Sequence, residues 1–152
     1  MNLIHDFYTA FKNKDAEAMC ACYADDVEFE DPAFGKLKGE HAKNMWRMLL
    51  ESQKDKDFEV TFSDVQLQKG KGTAKWEAKY IYSKSGRPVH NLITAAFEIE
   101  NGKIIKHTDS FSLKKWAKQA LGFKGALLGG TRFFKKAMNQ QTAEILAKWE
   151  RK

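Results

Sequence analysis

Four polar residues, Asp31, Asn91, His107 and Asp109, lie on predicted strand faces that are otherwise apolar. Residues two apart in a strand point to the same side of the sheet, so these side chains should turn toward the core. Burying a carboxylate without a partner is costly, and a chain that turns two of them inward usually has a pocket, a pairing or a use for them. We therefore expect the four side chains to meet in one cavity.

The two aspartates suit proton transfer. Asp109 shares a strand face with His107, Ile105 and Phe111, and Asp31 ends an earlier strand. Two carboxylates that face one low-dielectric pocket repel each other, so one should hold its proton while the other is ionised. Acid–base catalysis needs that division, with Asp109 as the base or acid, Asp31 as the second carboxylate and His107 as a group that orients or reprotonates.

Each polar residue also has a structural interpretation, which the sequence leaves open. Asp31 precedes Pro32 at the end of a strand, where an aspartate is often a turn-former or a cap. His107 could be a core histidine whose hydrogen bonds are satisfied. Asn91 could bond to backbone, or its amide could donate to a developing oxyanion.

Large apolar side chains are expected to form the walls of the cavity. They are most simply core residues, although a pocket for a small apolar ligand is lined by the same residue types. The sequence contains no H-E-x-x-H, no C-x-x-C pair, no G-x-S-x-G elbow and no Walker loop, so neither a metal nor a cofactor is expected. The predicted ligand-binding residues, besides Asn91, are Trp46, Trp76, Tyr80, Phe111 and Phe7.

Hydrophobic periodicity predicts the elements that must position these residues. Helical spacing indicates helices over 3–11 and 40–51, and Asp15 is suited to cap a second short helix through Tyr23. A short strand over 27–31 ends at Pro32, which has no amide hydrogen to donate, and a loop follows over 34–39. The period then changes to two, which predicts strands over 58–67 with a bulge near Ser63-Asp64, then over 75–82, 89–100 and 103–112.

These later strands follow one another through hairpins. Asn101-Gly102 is the preferred pair for a tight hairpin turn. Consecutive hairpins predict an antiparallel sheet, and helices gathered against one of its faces give an α+β fold. The 152 residues suit one domain, which we place at 1–112, followed by a helical extension at 113–152 that packs on or near it.

The N-terminal segment and the two cysteines indicate a reducing compartment. Residues 1–11 include Asp6 and no uninterrupted apolar stretch, which matches neither a secretory signal nor a membrane span. We therefore expect the protein in the cytoplasm. Cys20 and Cys22 lie two apart in a predicted helix, where neighbours point in different directions, so two reduced, partly buried thiols are expected.

Positive charge is concentrated in the C-terminal extension. Residues 1–112 hold 16 Lys/Arg and 18 Asp/Glu, whereas residues 113–152 hold 10 and 2. The extension interleaves these cations with aromatic residues and glycines. Three interpretations are open: a helical lid on the pocket mouth, a contact with an anionic membrane or acidic partner, and nucleic-acid binding, which lacks a recognisable module. The aromatic residues are Trp116, Phe123, Phe133 and Phe134.

Three segments carry a resemblance to a known family: FYTAF at 7–11, YADDVEFEDP at 23–32 and ENGKI at 100–104. Together with the order of elements they resemble the nuclear transport factor 2-like superfamily, and most closely its SnoaL-like and ketosteroid isomerase-like branches. The resemblance implies a cone-shaped fold, with a curved antiparallel sheet wrapped around the N-terminal helices, and a homodimer through the outer sheet face. The superfamily mixes isomerases, cyclases, epoxide hydrolases, dehydratases and non-catalytic binders.

The resemblance also implies roles for single residues. Ketosteroid isomerases place their general base before a proline at the end of the first strand, which Asp31 matches. Their two oxyanion-hole donors correspond to Phe7 and Ala95, so those donors are missing. SnoaL-like cyclases place their acid–base aspartate on the last strand, which Asp109 matches. We favour that branch.

Two functions follow from these observations. The first is a cofactor-free enzyme of the isomerase, cyclase or hydrolase type that moves protons on an apolar carbonyl-like or lipid-like substrate. The second is a non-catalytic module that binds a hydrophobic ligand and uses its basic tail for membrane or partner contact. The inward aspartates favour the enzyme, and the missing donors favour the binding module.

Overall fold

The computed structural model describes residues 2–152. Helices and strands succeed one another much as the hydrophobic periods predict, with three helices at the C-terminal end. In chain order they are α1 (Leu3–Lys12), α2 (Ala16–Ala21), β1 (Tyr23–Asp31), β2 (Gly35–Lys38), α3 (Glu40–Ser52), β3 (Glu59–Gln68), β4 (Lys71–Tyr82), β5 (Arg87–Glu100), β6 (Lys103–Ser110), α4 (Leu113–Leu121), α5 (Phe123–Leu128) and α6 (Arg132–Glu150).

Two element boundaries near the start of the chain differ from the sequence prediction. Asp15 caps α2 as expected, since its side chain accepts from the amide of Ala18 at 3.0 Å. However, α2 ends at Ala21, because Tyr23 already begins β1. The predicted loop over 34–39 contains the short strand β2, which pairs with β1 and forms one edge of the sheet.

The six strands form one sheet in the order β2-β1-β6-β5-β4-β3. The α+β class is confirmed, and β3 to β6 are joined by antiparallel hairpins as predicted. The expectation of a wholly antiparallel sheet is wrong, because β1 runs parallel to β6, with Phe29 opposite His107. Hairpin signals determine pairing only between consecutive strands, and β1 reaches β6 from far away in the sequence.

Two predicted local features of the sheet are confirmed. The turn between β5 and β6 has Asn101 and Gly102 at φ values of 53° and 75°, the left-handed pair that a type I′ hairpin requires. The register of β3 on β4 shifts after Ser63, where Asp64 has a φ of 51°. A bulge therefore lies where the alternation of β3 breaks.

A second bulge changes which residue of β6 faces inward. The register of β6 on β5 shifts between Glu98 and Ile99. Ile104 is consequently buried, and Ile105, which alternation predicts to face inward, is only partly buried. Residues beyond the bulge keep the predicted direction, but β6 ends at Ser110, two residues before the predicted end at 112.

One face of the sheet packs against α1 and α3 around an aromatic core. Phe7 is fully buried there, with its ring centroid 5.3 Å from Tyr23, 5.7 Å from Trp46 and 5.4 Å from His107. Aromatic pairs in such edge-on and stacked geometries contribute about 0.5–1.5 kcal/mol each beyond the area that they bury. The N-terminal helix is thereby fixed against the residues of the polar site.

Helix α4 packs on β5. The Nε of Arg87 donates to the backbone carbonyl of Gln119 at 2.8 Å, and the Gln119 side chain accepts from the amide of His90 at 2.6 Å. Trp116 and Ala117 of α4 pack with Val89 of β5 in a small hydrophobic core that is separate from the main one. The start of the C-terminal extension is therefore attached to the domain by both polar and apolar contacts.

Helix α6 returns across the molecule to α3. Glu150 accepts from His41 Nδ1 at 2.9 Å and from Asn44 Nδ2 at 2.7 Å. Leu146 is 3% exposed and belongs to the main core. The residue of α6 that is buried, Leu146, thus lies in the last two turns of the helix.

Two further observations concern membranes and thiols. Within residues 2–152, no helix is both long and apolar enough to cross a bilayer. Cys20 and Cys22 are free thiols, and both are buried rather than partly buried as predicted. Burial raises the pKa of Cys20 to about 11, so this thiol is expected to be unreactive.

The attachment of α6 can be tested at two neighbouring residues. Leu146→Ala should lower the free energy of unfolding by about 2–4 kcal/mol, because it leaves a cavity in the main core. Ile145→Ala is the matched control: Ile145 is 42% exposed, and its loss should cost less than about 1 kcal/mol. Urea denaturation of both variants measures the difference. Equal losses would show that α6 is not fastened through Leu146.

Candidate active site

A cavity of about 260 Å³ lies between the sheet, α3 and the C-terminal helices. This volume is close to the lower end of pockets that hold small organic ligands. Among residues 2–152, no group of three or more His, Cys, Asp or Glu side chains is arranged to hold a metal ion. The predicted site residues that line the cavity are Asp31, Asn91, Asp109, Trp46, Trp76, Tyr80 and Phe111.

A chain of hydrogen bonds runs through the core beside the cavity and ends on Asp109. Trp46 Nε1 donates to the hydroxyl of Tyr23 at 2.9 Å, and that hydroxyl lies 2.7 Å from His107 Nδ1. His107 Nε2 lies 2.9 Å from Asp109 Oδ1, which also accepts from Trp76 Nε1 at 3.3 Å. All five side chains are buried.

The donors in this chain determine where the protons are. An indole nitrogen can only donate, so Trp46 supplies a proton to the oxygen of Tyr23. Burial raises the pKa of Tyr23 well above its ordinary value, so the hydroxyl keeps its own proton and donates it to His107 Nδ1. The ring proton of His107 is then on Nε2 and is donated to Asp109. Asp109 is therefore the acceptor at the end of the chain.

The protein uses only one oxygen of Asp109. Within residues 2–152, both hydrogen bonds to its carboxylate end on Oδ1. The side chain also lines the cavity, so Oδ2 is left for a molecule that enters it. The hydrogen bonds to Oδ1 thus fix the orientation of the carboxylate, and Oδ2 can accept a proton from a molecule in the cavity.

Asp31 lines the same cavity in a different environment. Its Oδ1 accepts from the backbone amides of Ala33 at 2.9 Å and Phe34 at 2.6 Å, so Asp31 also forms the turn that its position before Pro32 suggests. Burial raises the pKa of Asp31 to about 7; the Phe34 amide opposes this, and the charge of Asp109 adds to it. A pKa near neutrality suits a group that exchanges protons with a substrate.

The parallel pairing of β1 with β6 brings the two aspartates to the same level of the sheet. Glu30 pairs with Thr108, and Asp31 and Asp109 directly follow them on their strands. The polar end of the cavity therefore depends on the strand pair whose direction the hairpin pattern does not predict.

Tyr80 and Asn91 add polar groups to the cavity wall. The hydroxyl of Tyr80 accepts from Trp116 Nε1 at 2.7 Å, which leaves its own proton for an acceptor in the cavity. Burial raises the pKa of Tyr80, so the hydroxyl stays protonated at neutral pH. Asn91, on β5 opposite Ala78, adds an amide. Both groups can donate a hydrogen bond to an oxyanion there.

The C-terminal extension supplies one wall of the cavity. Trp116 of α4 and Met138 and Thr142 of α6 all line it. Thr142 Oγ1 also donates to the carbonyl of Ala33 at 2.9 Å, beside the turn of Asp31. This placement favours the interpretation of the extension as a lid.

The structure places two predicted residues away from the cavity and adds one that sequence reasoning missed. Phe7 and His107 are fully buried in the core and do not line the cavity, so His107 can orient Asp109 but cannot touch a ligand beyond it. Tyr23 holds His107 in place and was not expected at the site. It shares the alternation of Val27 and Phe29, but the helical spacing just before it hides that signal.

Comparison with known proteins now identifies the family. The family model of the SnoaL-like domain matches residues 4–107. The chain belongs to the SnoaL-like domain family. The match ends at His107, so Asp109 and the C-terminal helices lie outside the matched range of this SnoaL-like protein. No curated protein matches the sequence.

Solved structures confirm the nuclear transport factor 2-like fold of this SnoaL-like protein. A candidate polyketide cyclase from Xanthomonas campestris pv. campestris is 20% identical, with a TM-score of 0.62 over 77% of this chain and 93% of its own. An epoxide hydrolase of M. tuberculosis, described as LEH-like, is 22% identical, with a TM-score of 0.60 over 84% and 88%. A protein with a ketosteroid isomerase-like fold from Catenulispora acidiphila, solved with trimethylamine, is 14% identical, with a TM-score of 0.64 over 78% of this chain and 92% of its own.

The raised pKa of Asp31 should appear in the pH dependence of stability. The folded protein holds this proton up to about pH 7, whereas the unfolded chain loses it near pH 4. The contribution of Asp31 to the free energy of unfolding is therefore present below about pH 4 and falls as the pH rises to about 7, by at most about 1.4 kcal/mol per pH unit and less at this partly exposed site.

The isosteric variant Asp31→Asn isolates this effect, because it keeps the oxygen that accepts from the two amides. Urea denaturation between pH 4 and 8 should show the variant gaining stability relative to the wild type as the pH rises, with no further change above about pH 7. Parallel stability curves for the two proteins would mean that the pKa of Asp31 is not raised.

Proposed function

We propose that this SnoaL-like protein is an acid–base enzyme that moves a proton on a small apolar carbonyl-like or lipid-like molecule, as an isomerase, cyclase or hydrolase. The observation that carries the proposal is the carboxylate of Asp109, which is 4% exposed, accepts two hydrogen bonds on Oδ1 from the described residues 2–152 and none on Oδ2, and lines an apolar cavity. Carboxylates buried for stability alone usually have both oxygens bonded to protein or ordered water.

The two aspartates have different roles in the proposed reaction. Asp109 is the base, because it already accepts the donors of the buried chain. Asp31 is the acid, because its pKa of about 7 leaves a large share of it protonated at neutral pH. A proton passes from a C–H bond or a water O–H bond to Asp109 Oδ2, and Asp31 returns a proton to another atom. Proton number is conserved without any redox partner.

The other polar side chains either stabilise negative charge on the substrate or orient Asp109. Negative charge that develops on a substrate oxygen can be met by the hydroxyl of Tyr80 and the amide of Asn91, which face the cavity from β4 and β5. Tyr23 and His107 are positioning residues, because they act on the substrate only through Asp109. This arrangement offers donors even though Phe7 and Ala95, the positions implied by the isomerase resemblance, are buried apolar residues.

The structural neighbours support this class of reaction without identifying the substrate. One neighbour is a candidate polyketide cyclase and another is an LEH-like epoxide hydrolase, and both reactions need a positioned acid and base around an organic molecule.

A second candidate is a non-catalytic binding module for a hydrophobic ligand. One observation favours it: the carboxylate of Asp31 already bonds two backbone amides, which is sufficient reason for an aspartate at this turn. In that case the cavity would hold its ligand without changing it.

Deuterium exchange can decide between the two. We expect that a panel of apolar ketones and enones, incubated with the protein in D₂O, will include compounds whose α-hydrogens exchange faster with the wild type. Asp109→Asn should slow this exchange by about 10²-fold or more, the usual contribution of a positioned base. Proton NMR measures the exchange, and quenching of Trp46, Trp76 and Trp116, which line the cavity, measures binding.

The matched control is Asp64→Asn, the same change at an exposed aspartate on the bulge of β3, where asparagine tolerates the positive φ of 51°. It should leave exchange and binding unchanged. Compounds that quench the tryptophans, never exchange and are recovered without hydrolysis or cyclisation would favour the binding module instead. Exchange that survives Asp109→Asn would remove Asp109 from the catalytic role.

A further inference from the structure

Helix α5 turns a glycine toward the protein and large apolar residues away from it. Gly125 is buried, and a Cβ at this position would overlap the carbonyl oxygen of Ala117 on α4. Phe123 and Leu127, four residues apart, are 78% and 64% exposed. A helix that only packed on its own protein would bury its large apolar residues and expose its small ones.

These two residues belong to a cluster of exposed apolar side chains along the chain. All of its members lie between positions 121 and 133, and each is at least 38% exposed. Single exposed apolar residues are ordinary in proteins, whereas a concentration of them marks an interaction surface. We name this set the α5 patch; it consists of Leu121, Phe123, Leu127, Leu128 and Phe133.

The segment that carries the α5 patch is also strongly basic. Residues 113–136 contain seven Lys/Arg and no Asp/Glu. All seven are exposed, and none of them forms an ion pair with any part of the chain that the structure describes. Their charges are therefore available to an anionic partner. The seven are Lys114, Lys115, Lys118, Lys124, Arg132, Lys135 and Lys136.

We propose that the α5 patch docks on an anionic lipid bilayer. The apolar side chains enter the boundary between headgroups and acyl chains, and the seven cations lie at the level of the lipid phosphates. Exposed aromatic and aliphatic residues interleaved with Lys and Arg are the pattern of interfacial segments. Apolar insertion or positive charge alone gives marginal, reversible membrane binding. The two together hold a protein at the membrane surface.

Charge selects a bilayer over a second copy of this chain. A twofold interface presents the same surface from both partners and would bring seven unpaired cations against seven others. Nucleic acid would use the cations but would leave aliphatic residues such as Leu127 and Leu128 exposed. An anionic bilayer satisfies both the charge and the apolar surface.

Docking would also bring the cavity close to the lipid. Trp116 lines the cavity from α4, and its neighbour Ala117 packs against Gly125 and Gly129 at the base of the α5 patch. The cavity wall and the patch are thus two sides of the same helix pair. The patch is present whether or not the cavity is catalytic, so vesicle binding and catalysis can succeed or fail separately.

Co-sedimentation of the full-length protein with vesicles tests the proposal. The protein should sediment with phosphatidylcholine vesicles that contain phosphatidylglycerol, but not with pure phosphatidylcholine, and high salt should release it as the screening length shortens. Phe123→Ser combined with Leu127→Ser should lower the fraction bound by about tenfold or more, because two large apolar side chains no longer insert.

The matched control combines Leu67→Ser with Leu92→Ser, which removes two exposed apolar side chains, 41% and 63% exposed, from the sheet. It should bind as the wild type does, and circular dichroism should show that both double variants are folded. Failure of the wild type to bind anionic vesicles at low salt would overturn the proposal. So would binding that both double variants retain, because charge alone would then explain it, or self-association that the Phe123/Leu127 variant abolishes.

Discussion

The carboxylate of Asp109 needs hydrogen-bond donors, and the interior of the molecule is arranged around that need. At 4% exposure it has little water to solvate it, and an unsatisfied charge there would be strongly destabilising. Its donors come from β4 and β6, and the chain behind them continues through β1 to α3. Because each member would be unsatisfied without the next, the network ties the helices to the sheet and fixes the direction of the Asp109 carboxylate.

Sequence reasoning located the aspartates but not the groups that support them. Strand alternation is a local property with a period of two, so it predicts that Asp31 and Asp109 face inward without any knowledge of the fold. The pairing of β1 with β6 is not local, and neither its direction nor the contact of Tyr23 with His107 could be read from spacing. The bulge in β6 shows the same limit, because one extra residue exchanged the directions of Ile104 and Ile105.

The C-terminal extension shows why aromatic and basic composition alone left its role open. A lid and a membrane-binding surface both need large apolar residues, so the sequence cannot distinguish them. The structure divides the residues by direction: Trp116 and Met138 line the cavity, whereas Phe123 and Leu127 face solvent. Glycine makes this division possible, since close approach at Gly125 lets α5 pack through its backbone and leaves its large side chains outside.

The charges of the two aspartates are linked in a way that suits a catalytic cycle. Burial holds the pKa of Asp31 near 7, and the negative charge of Asp109 contributes to that rise. When Asp109 accepts a proton from a substrate, this charge disappears, so the pKa of Asp31 falls. In the proposed reaction, Asp31 would therefore become a stronger acid at the stage at which a proton is delivered elsewhere on the substrate. Loss of the proton from Asp109 to water would then restore its charge and raise the pKa of Asp31 again, so that Asp31 takes up a proton from water and the cycle closes.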